Sequence, residues 1–420
     1  MIDKKLVIGL FGFGVVGEGI YKVLKQIPSL NASIKKVCIK HPDKKRNAEA
    51  ELFTTGYEDI LNDAEINVVV ELIDDAKEAY KIVTAALQNG KAVVSANKKM
   101  IADHFAELVE LQKKTNGLFL YEAAVCGSIP IIRNLEEYFD NDLLQSVSGI
   151  VNGSTNYILT KILSEGISYK EALDQAQTLG FAESDPTLDV EGFDAANKLT
   201  ILLAHAYGIV TEQKQLLRKG ITQLHNDDAA FAAEKNYKIK LTTHASNLAN
   251  GKIAAFVLPQ FVTDESQLFY VDNEFNGVVI ESKLADKQFF YGKGAGRFPT
   301  SSAVVSDISA LRFDYKYEYR KLNRGQHLSL TKDYYLKVYV SFGSWNHVNK
   351  WDFETIDEFH STQNRQYLLG LIHVEKLSET SWFNHPDVST IVLPNGIVEK
   401  HELVVKALKK ISLQLGGVHQ

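Results

Sequence analysis

The sequence predicts an α/β protein: a doubly wound parallel sheet first, an α+β region next, and a small α/β region at the end. Three observations carry this expectation. Short apolar runs alternate with helical patterns from residue 5 to about 125. Irregular, glycine-containing segments and an acidic stretch fill much of the chain from 126 to 299. The C-terminal part, from about 320, is rich in strand-like runs. A chain of 420 residues is too long for one ordinary domain and suits two or three. The expected partition is 1–125 with about 300–318, then 126–299, then 320–420.

The first element is the apolar run 5–11, which reads as a buried strand. The loop "GFGVVG" follows: Gly12, Phe13, Gly14, Val15, Val16 and Gly17. Val16, Ile20, Val23, Leu24 and Ile27 then form one helical stripe. G-x-G-x-x-G between a strand and a helix is the dinucleotide-binding pattern of a Rossmann sheet. Its first glycine permits a tight turn, its second lets backbone approach a pyrophosphate, and its third lets helix pack on strand. The helix N-terminus offers free N–H groups to the phosphates. Further strands are expected at 34–40, 66–73, 91–97 and 118–124. Helices are expected over "DAKEAYKIVTAALQNG" and "MIADHFAELVELQKKTNG", each stopped near a glycine.

The second strand should end near Ile39. An acidic residue there would hold the ribose hydroxyls of NAD. The chain instead has Lys40, His41, Lys44, Lys45 and Arg46, with Asp43 among them. Positive charge there suits the 2′-phosphate of NADP, and NAD stays possible; a solvated basic loop is the other reading. "SANKK" closes the fourth strand. Ser95 and Asn97 can bond from the ligand-binding edge, and Lys98 would lie beside the cofactor. A lysine at a helix start is slightly unfavourable against the helix dipole, which favours a functional role for Lys98.

In the middle region, "GIVNGSTNYILTKI" (149–162) joins a strand-like piece to a helix. Asn152, Ser154 and Thr155 suit either capping or binding a small polar molecule. A helix ends at Gly180, and "FAESDPTLDVEGFDAANK" (181–198) follows. It holds Glu183, Asp185, Asp189, Glu191, Asp194 and Lys198. Asp194 and Lys198 are at i and i+4 on one face of the next helix. Ala195, Leu199, Leu202 and Ala206 form its expected buried stripe, with Lys198 at the edge. The pair reads either as an ordinary helix ion pair or as part of a site. Five carboxylates with little to neutralise them favour a cationic or amine-bearing ligand.

Helix 301–313 is expected to return to the nucleotide region. After it, "DYYLKVYVSF", "RQYLLGLIHVEKL" and "STIVLPN" read as strands and "EKHELVVKALKKISLQL" as a helix. The composition is ordinary for a globular protein, with 45% hydrophobic and 23% charged residues. The net charge of −6 and the lack of a long basic run argue against nucleic acid as a partner. No run of 18 apolar residues exists, so no membrane span is expected. The N-terminus does not read as a signal peptide. Two cysteines, Cys38 and Cys126, suit a reducing compartment, here taken as the cytoplasm.

At this point the chain resembles a family. "GFGVVG", "VVSANK", "EAAVCGSIPII", "NGSTNYIL", "GFAESDPTLDVEGFDAANK" and "GKGAGRFPTSSAVVSDI" are similar, in order and spacing, to the motifs of homoserine dehydrogenases. The resemblance implies reversible NAD(P)H-dependent reduction of L-aspartate 4-semialdehyde to L-homoserine, a step toward threonine, isoleucine and methionine. It implies that Lys198 is the general acid, that Asp194 orients it and touches substrate, and that Lys98 bridges cofactor and substrate. Glu183 would hold the substrate, with Asp189 close by; Thr155, read from its own chemistry, is a further candidate for the substrate site. Gly180, Gly294 and Gly296 would contact the nicotinamide half of the cofactor. A sodium ion would sit in the bend after the fifth strand, at Glu122, Val125, Gly127 and Ile129, mostly on backbone oxygens.

Three departures stand against the family pattern: "ELIDDAKE" places Asp74 and Asp75 near the cofactor's negative groups, "CGSIP" replaces a glycine-rich bend, and "GAGR" introduces Arg297. Arg297 could pair with Asp74 or Asp75, or meet a phosphate. The C-terminal region resembles an ACT-type regulatory domain in shape, but the usual Asp-x-Pro-Gly turn is missing; a structural appendage is the other reading. With no kinase-like region before the first strand, a monofunctional chain is expected, as a homodimer or higher homo-oligomer. Two rivals remain: a catalytically silent dinucleotide sensor, and a reductase of another small amino-acid aldehyde.

Overall fold

The computed structural model describes residues 4–141, 143–324, 328–361 and 365–405. Its first sheet holds β1 (Leu6–Phe11), β2 (Ala32–Cys38), β3 (Phe53–Thr54), β4 (Val68–Glu71), β5 (Ala92–Ser95) and β6 (Phe119–Leu120). All pairings are parallel, in the order β3-β2-β1-β4-β5-β6. Strands covered by helices on both faces must be apolar throughout, and every residue of β4 is buried. The chain order reverses between β1 and β4, which places a crevice above their carboxyl ends, where such sheets bind ligands.

Two N-terminal expectations need adjusting. The strand expected at 118–124 pairs only over Phe119–Leu120; Glu122–Ala124 forms a 3₁₀ turn. The cause is the Glu122 side chain, whose carboxylate turns back to accept the N–H groups of Ile132 and Arg133. The long helix expected after Lys98 breaks at His104 into Lys98–Asp103 and Phe105–Thr115. His104 stacks on Tyr80, with ring centroids 3.9 Å apart, while Phe105 turns inward to Tyr121 and His205.

The returning helix runs Arg297–Leu311 and lies against the Val15–Gln26 helix. Contact is close: a Cβ on Gly19 would stand 2.4 Å from the Ser301 hydroxyl. Arg297 pairs with Glu18 at 3.1 Å, not with Asp74 or Asp75. Asp75 instead caps the Ala76–Gln88 helix, accepting from Lys77 and Glu78 N–H.

The second sheet has ten strands. β7 (Leu144–Ile150), β8 (Leu217–Arg218), β9 (Lys238–Asn247), β10 (Ile253–Val262), β11 (Phe275–Ser282) and β12 (Asp286–Lys293) come from the middle of the chain. β13 (Tyr335–Phe342), β14 (Thr355–Ser361), β15 (Gln366–His373) and β16 (Val388–Val398) come from its end. The order is β12-β11-β7-β9-β10-β16-β13-β15-β14, with β8 also on β10. The four C-terminal strands therefore run fourth, first, third, second, all antiparallel, the order of a split βαβ motif. Two 3₁₀ turns, Trp345–His347 and Lys350–Asp352, occupy the first crossover; the second holds the short helix Val374–Glu379.

This end segment does not stand apart. β16 pairs with β10 at Val392 and Gln260. Leu336, Val338, Val340 and Phe342, alternate residues of β13, share one core with Leu217, Phe256 and Leu258. The expected boundary near 320 thus crosses a continuous sheet. The helix expected at 399–415 lies mostly outside the described residues.

Candidate active site

Asp194 stands in the first turn of the Phe193–Tyr207 helix, where the dipole favours a carboxylate. The helix follows Gly192, whose φ of +77° suits glycine. The expected single stripe understates its burial: every residue from Asp194 to Tyr207 is buried, as in a helix apolar on all sides. Lys198 is not at an edge but 7% exposed, and Asp194 is 4% exposed.

Two ammonium groups share the Asp194 carboxylate. Lys198 Nζ lies 2.7 Å from Oδ2, and Lys98 Nζ lies 2.7 Å from Oδ1. Lys98 arrives from the end of β5 as the first residue of its helix, so the ion pair spans the two sheets' territories. Lys198 also donates to the Val151 carbonyl at 2.6 Å. Asn152 Nδ2 donates to Asp194 Oδ2 at 2.8 Å and to Asp189 Oδ1 at 2.6 Å, while its Oδ1 caps the next helix through Thr155 N–H. Burial pushes the Asp194 carboxyl up, but Lys198 and Lys98 outweigh it and hold it well below the usual carboxylate range. Lys98 is held above its ordinary value chiefly by Asp194. Burial, then the Asp194 charge, raises Asp189.

Glu183 is exposed, and its charge is among those felt by Lys98. The other two carboxylates of the acidic stretch have local duties. Asp185 accepts from Thr187, and Glu191 accepts from the Thr222 hydroxyl at 2.6 Å. The cluster is therefore smaller than the sequence suggested, and two lysines offset it. Thr155 is brought near, but its hydroxyl donates back to Asn152. The sequence left Asn152 between capping and binding; the structure gives it both a cap and, through its amide hydrogens, two carboxylate partners that no local pattern shows.

On the cofactor side, Gly12 has φ +96°, and a Cβ there would lie 2.8 Å from the Leu72 carbonyl. A Cβ on Gly17 would lie 2.4 Å from the Gly12 carbonyl, whereas one on Gly14 would meet nothing within 4 Å. Gly14 precedes the Val15–Gln26 helix, whose first N–H groups take no side-chain cap. The loop is thus tight at its base and open at its tip, as a pyrophosphate needs. Phe13, beside Gly14, packs edge-on to Phe53 and Tyr21. Val15 is exposed. Val16 lends its carbonyl to the Ser301 hydroxyl.

Lys40 is exposed, within electrostatic reach of Asp75. Lys44 and Arg46 line a cavity of about 510 Å³ beside Phe53. Ser95 is fully buried, with its hydroxyl on Glu71 at 2.6 Å, so it supports the strand end and offers no open donor. Burial lifts that Glu71 carboxyl to about 7. Gly180 has φ +77° with open space beside it, and Gly296 precedes the Arg297 helix. Gly294 packs on Gly127, and the buried Asn276 amide fills the place of its missing side chain.

The 122–129 bend fits a hard cation only in part. Cys126 and Gly127 both take positive φ, 58° and 50°, so the departure from glycine at 126 is accommodated. Among the described residues no N–H group bonds the carbonyls of Val125 or Gly127. The Ile129 carbonyl accepts from Ile131. Both Glu122 carboxylate oxygens are taken by backbone N–H, so that side chain is a clasp and not an open ligand. No cluster of three or more His, Cys, Asp or Glu side chains suited to a metal occurs among the described residues.

Comparison with known proteins agrees with this geometry. Residues 12–122 match the family described as homoserine dehydrogenase, NAD binding domain, and residues 130–309 match homoserine dehydrogenase. The homoserine dehydrogenase of Bacillus subtilis is 39% identical over 318 residues, 73% of each chain. The structure of a homoserine dehydrogenase from Thiobacillus denitrificans superposes with a TM-score of 0.81 at 29% identity, over 93% of this chain and 98% of that one. A hyperthermophilic archaeal homoserine dehydrogenase in complex with NADPH superposes with a TM-score of 0.64 at 25% identity, over 75% of this chain and 99% of that one. The two lysines on one carboxylate, one of them at the carboxyl edge of the sheet that carries the glycine loop, are thus found in a chain that belongs to the homoserine dehydrogenase family of NAD(P)-dependent oxidoreductases.

Proposed function

We propose that this chain reduces L-aspartate 4-semialdehyde reversibly to L-homoserine through Lys198, Asp194 and Lys98, with NADPH as preferred cofactor. The observation that carries the reading is the Asp194 carboxylate held between two ammonium groups, one of them on Lys98 at the carboxyl edge of the sheet that also carries the glycine loop. A bound nicotinamide supplies the hydride. Lys198, fixed by Asp194 and the Val151 carbonyl, protonates the oxygen on which negative charge develops. Asn152 keeps Asp194 and Asp189 in register. Glu183 and Asp189 receive the substrate ammonium. Lys98, at the cofactor edge, fixes the substrate against the nicotinamide. A silent sensor would have no use for a buried Asp194–Lys198 pair with a second lysine on the same carboxylate, since burying charge without chemistry is costly.

Lys40, with Lys44 and Arg46 at the adenosine end, supports preference for the extra phosphate of NADPH. The unbonded carbonyls of Val125 and Gly127 support a sodium ion there; its chemistry would be to pin the bend by charge. We read residues 1–125 with about 300–318 as the nucleotide domain and 126–299 as the substrate and dimerisation domain. The end segment is ACT-like in strand order but lacks the usual effector turn. Exposed Phe289 and Tyr291 on edge strand β12 support a homodimer. Both cysteines are free and buried, which suits the cytoplasm, and no helix among the described residues is long and apolar enough to cross a membrane. The test is an absorbance assay at 340 nm with aspartate semialdehyde and each reduced cofactor. Turnover with kcat/KM higher for NADPH is expected. No turnover overturns the catalytic reading, and NADH equal or ahead overturns the preference.

A further inference from the structure

Residues 217–222 form a short strap between the acidic cluster and the C-terminal strands. Its backbone lies directly on residues 190–191: Ile221 N–H donates to the Val190 carbonyl at 2.8 Å. A Cβ on Gly220 would stand 2.1 Å from that same carbonyl, so only glycine allows the contact. Arg218 donates to the Glu191 carbonyl and covers the Phe193 ring at 3.5 Å. The Thr222 hydroxyl bonds the Glu191 carboxylate. These four residues thus grip 190–193, the link between Asp189 and Asp194. Lys219 points the other way. It is 4% exposed, and its ammonium donates to the carbonyls of Phe383 and Val388, the latter at 2.8 Å. Its own N–H holds β10 through the Val257 carbonyl.

A buried ammonium satisfied by carbonyls instead of a carboxylate is a costly arrangement, and burial pushes Lys219 down to about 7. The charges that raise it again, Glu191 and Asp228, are not bonded to it. A hydrophobic side chain would fill the space at less expense. The geometry points to Lys219 as a positioning residue that ties the C-terminal strands to the 189–194 link, so that substrate occupancy and the packing of residues 382–392 are coupled. This rests on the reading that Asp189 and Asp194 belong to the substrate site.

All three tryptophans, Trp345, Trp351 and Trp382, lie in the C-terminal segment. Trp382 is buried next to Phe383. A W345F/W351F double variant therefore makes Trp382 the sole indole reporter. The experiment adds L-homoserine to that protein saturated with NADPH, a combination that cannot turn over, and reads Trp382 emission with excitation at 295 nm. A saturable change is expected, with a midpoint matching the steady-state affinity for homoserine. Lys219→Met in the same background should abolish the change. It should also raise the homoserine KM by about 5-fold or more while kcat and the cofactor KM move less.

Should Lys219→Met fail to fold, Arg218→Met carries the test, since it loosens the grip on 191–193 and leaves Lys219 in place; it should weaken the response. A silent Trp382 in an active enzyme overturns the coupling, as does a response unchanged in Lys219→Met, or in Arg218→Met where that variant stands in. A protein without homoserine turnover fails the substrate reading instead, which the 340 nm assay registers separately.

Discussion

Lys198 is where placement and chemistry meet most closely. Its neighbours are one carboxylate and one carbonyl, and it is almost out of water. Lys198→Ala should lower kcat by about 100-fold or more, the usual cost of losing a positioned general acid, with NADPH KM nearly unchanged. Turnover close to wild type would move the proton to Lys98 or water. Asp194→Asn should both slow turnover and destabilise. It leaves the buried Lys198 with neutral partners only, and breaking a buried pair costs about 3–5 kcal/mol. Chemical denaturation measures this, and the double variant should be less than additive, because the residues act as a unit. The sequence spacing already placed Asp194 and Lys198 on one face. It could not set their depth, because helix periodicity names one face while burial on the others comes from distant strands. The same limit hid the partners of Asn152: its two carboxylates, Asp189 and Asp194, lie 37 and 42 residues away in the chain.

Among the elements, the glycine loop was the most legible, because each glycine answers a steric demand that sequence context reveals. The three positions should still separate experimentally. Gly14→Ala meets nothing within 4 Å in the unliganded loop, so its melting temperature should match wild type while its NADPH KM rises by about 10-fold or more. Gly17→Ala presses on the Gly12 carbonyl and should lose stability as well. Equal melting temperatures for both variants would contradict this packing. The bend at 122–133 was less legible, since a carboxylate clasping backbone N–H groups ten residues on has no local pattern. Burial first, then Asp307, raises the Glu122 carboxyl to about 7. Between its unfolded pKa of about 4.3 and that value the folded protein keeps a proton that the unfolded chain has lost. Stability from this group therefore falls as pH rises through that window and is level above it. Glu122→Gln removes the titration. Its melting temperature relative to wild type should climb from pH 5 to pH 8, read by calorimetry; a constant or shrinking difference would mean that Glu122 is ionised throughout.

At the scale of the whole molecule, two sheets carry the enzyme, and the final strands complete the second. The parallel, doubly wound character of the nucleotide sheet followed from its alternating pattern, which gives neither the strand order nor the short edge strand β3. The long hairpin of β9 and β10 did not follow: Asn250-Gly251 marks a turn between them, but both strands are nearly continuous in burial and lack the alternation that reads as a strand. Nor did the joining of β16 to β10, a contact between residues more than a hundred positions apart. That joint sets the last expectation. Phe256 and Leu258 of β10 are buried at 1% and 0% exposure, and their core partners are Leu336, Val338, Val340 and Phe342. Fully burying such side chains stabilises by roughly 1.5–3 kcal/mol each relative to exposure. A chain ending after Thr331 would expose that face of β10 and the Leu217 beside it. It would also deprive Lys219 of both carbonyl partners, leaving a cation in a half-open apolar pocket. An appendage joined by a flexible linker could be removed with little effect on the rest; a sheet continuation cannot. The truncated protein should therefore aggregate or melt well below the full chain, whereas its nucleotide sheet, built from residues before 125 and the helix ending at Leu311, keeps its contacts. Expression of both forms, followed by size exclusion and thermal melts, decides between the two. A soluble, fully active truncated enzyme would show that β13 to β16 lean on the catalytic sheet without supporting it.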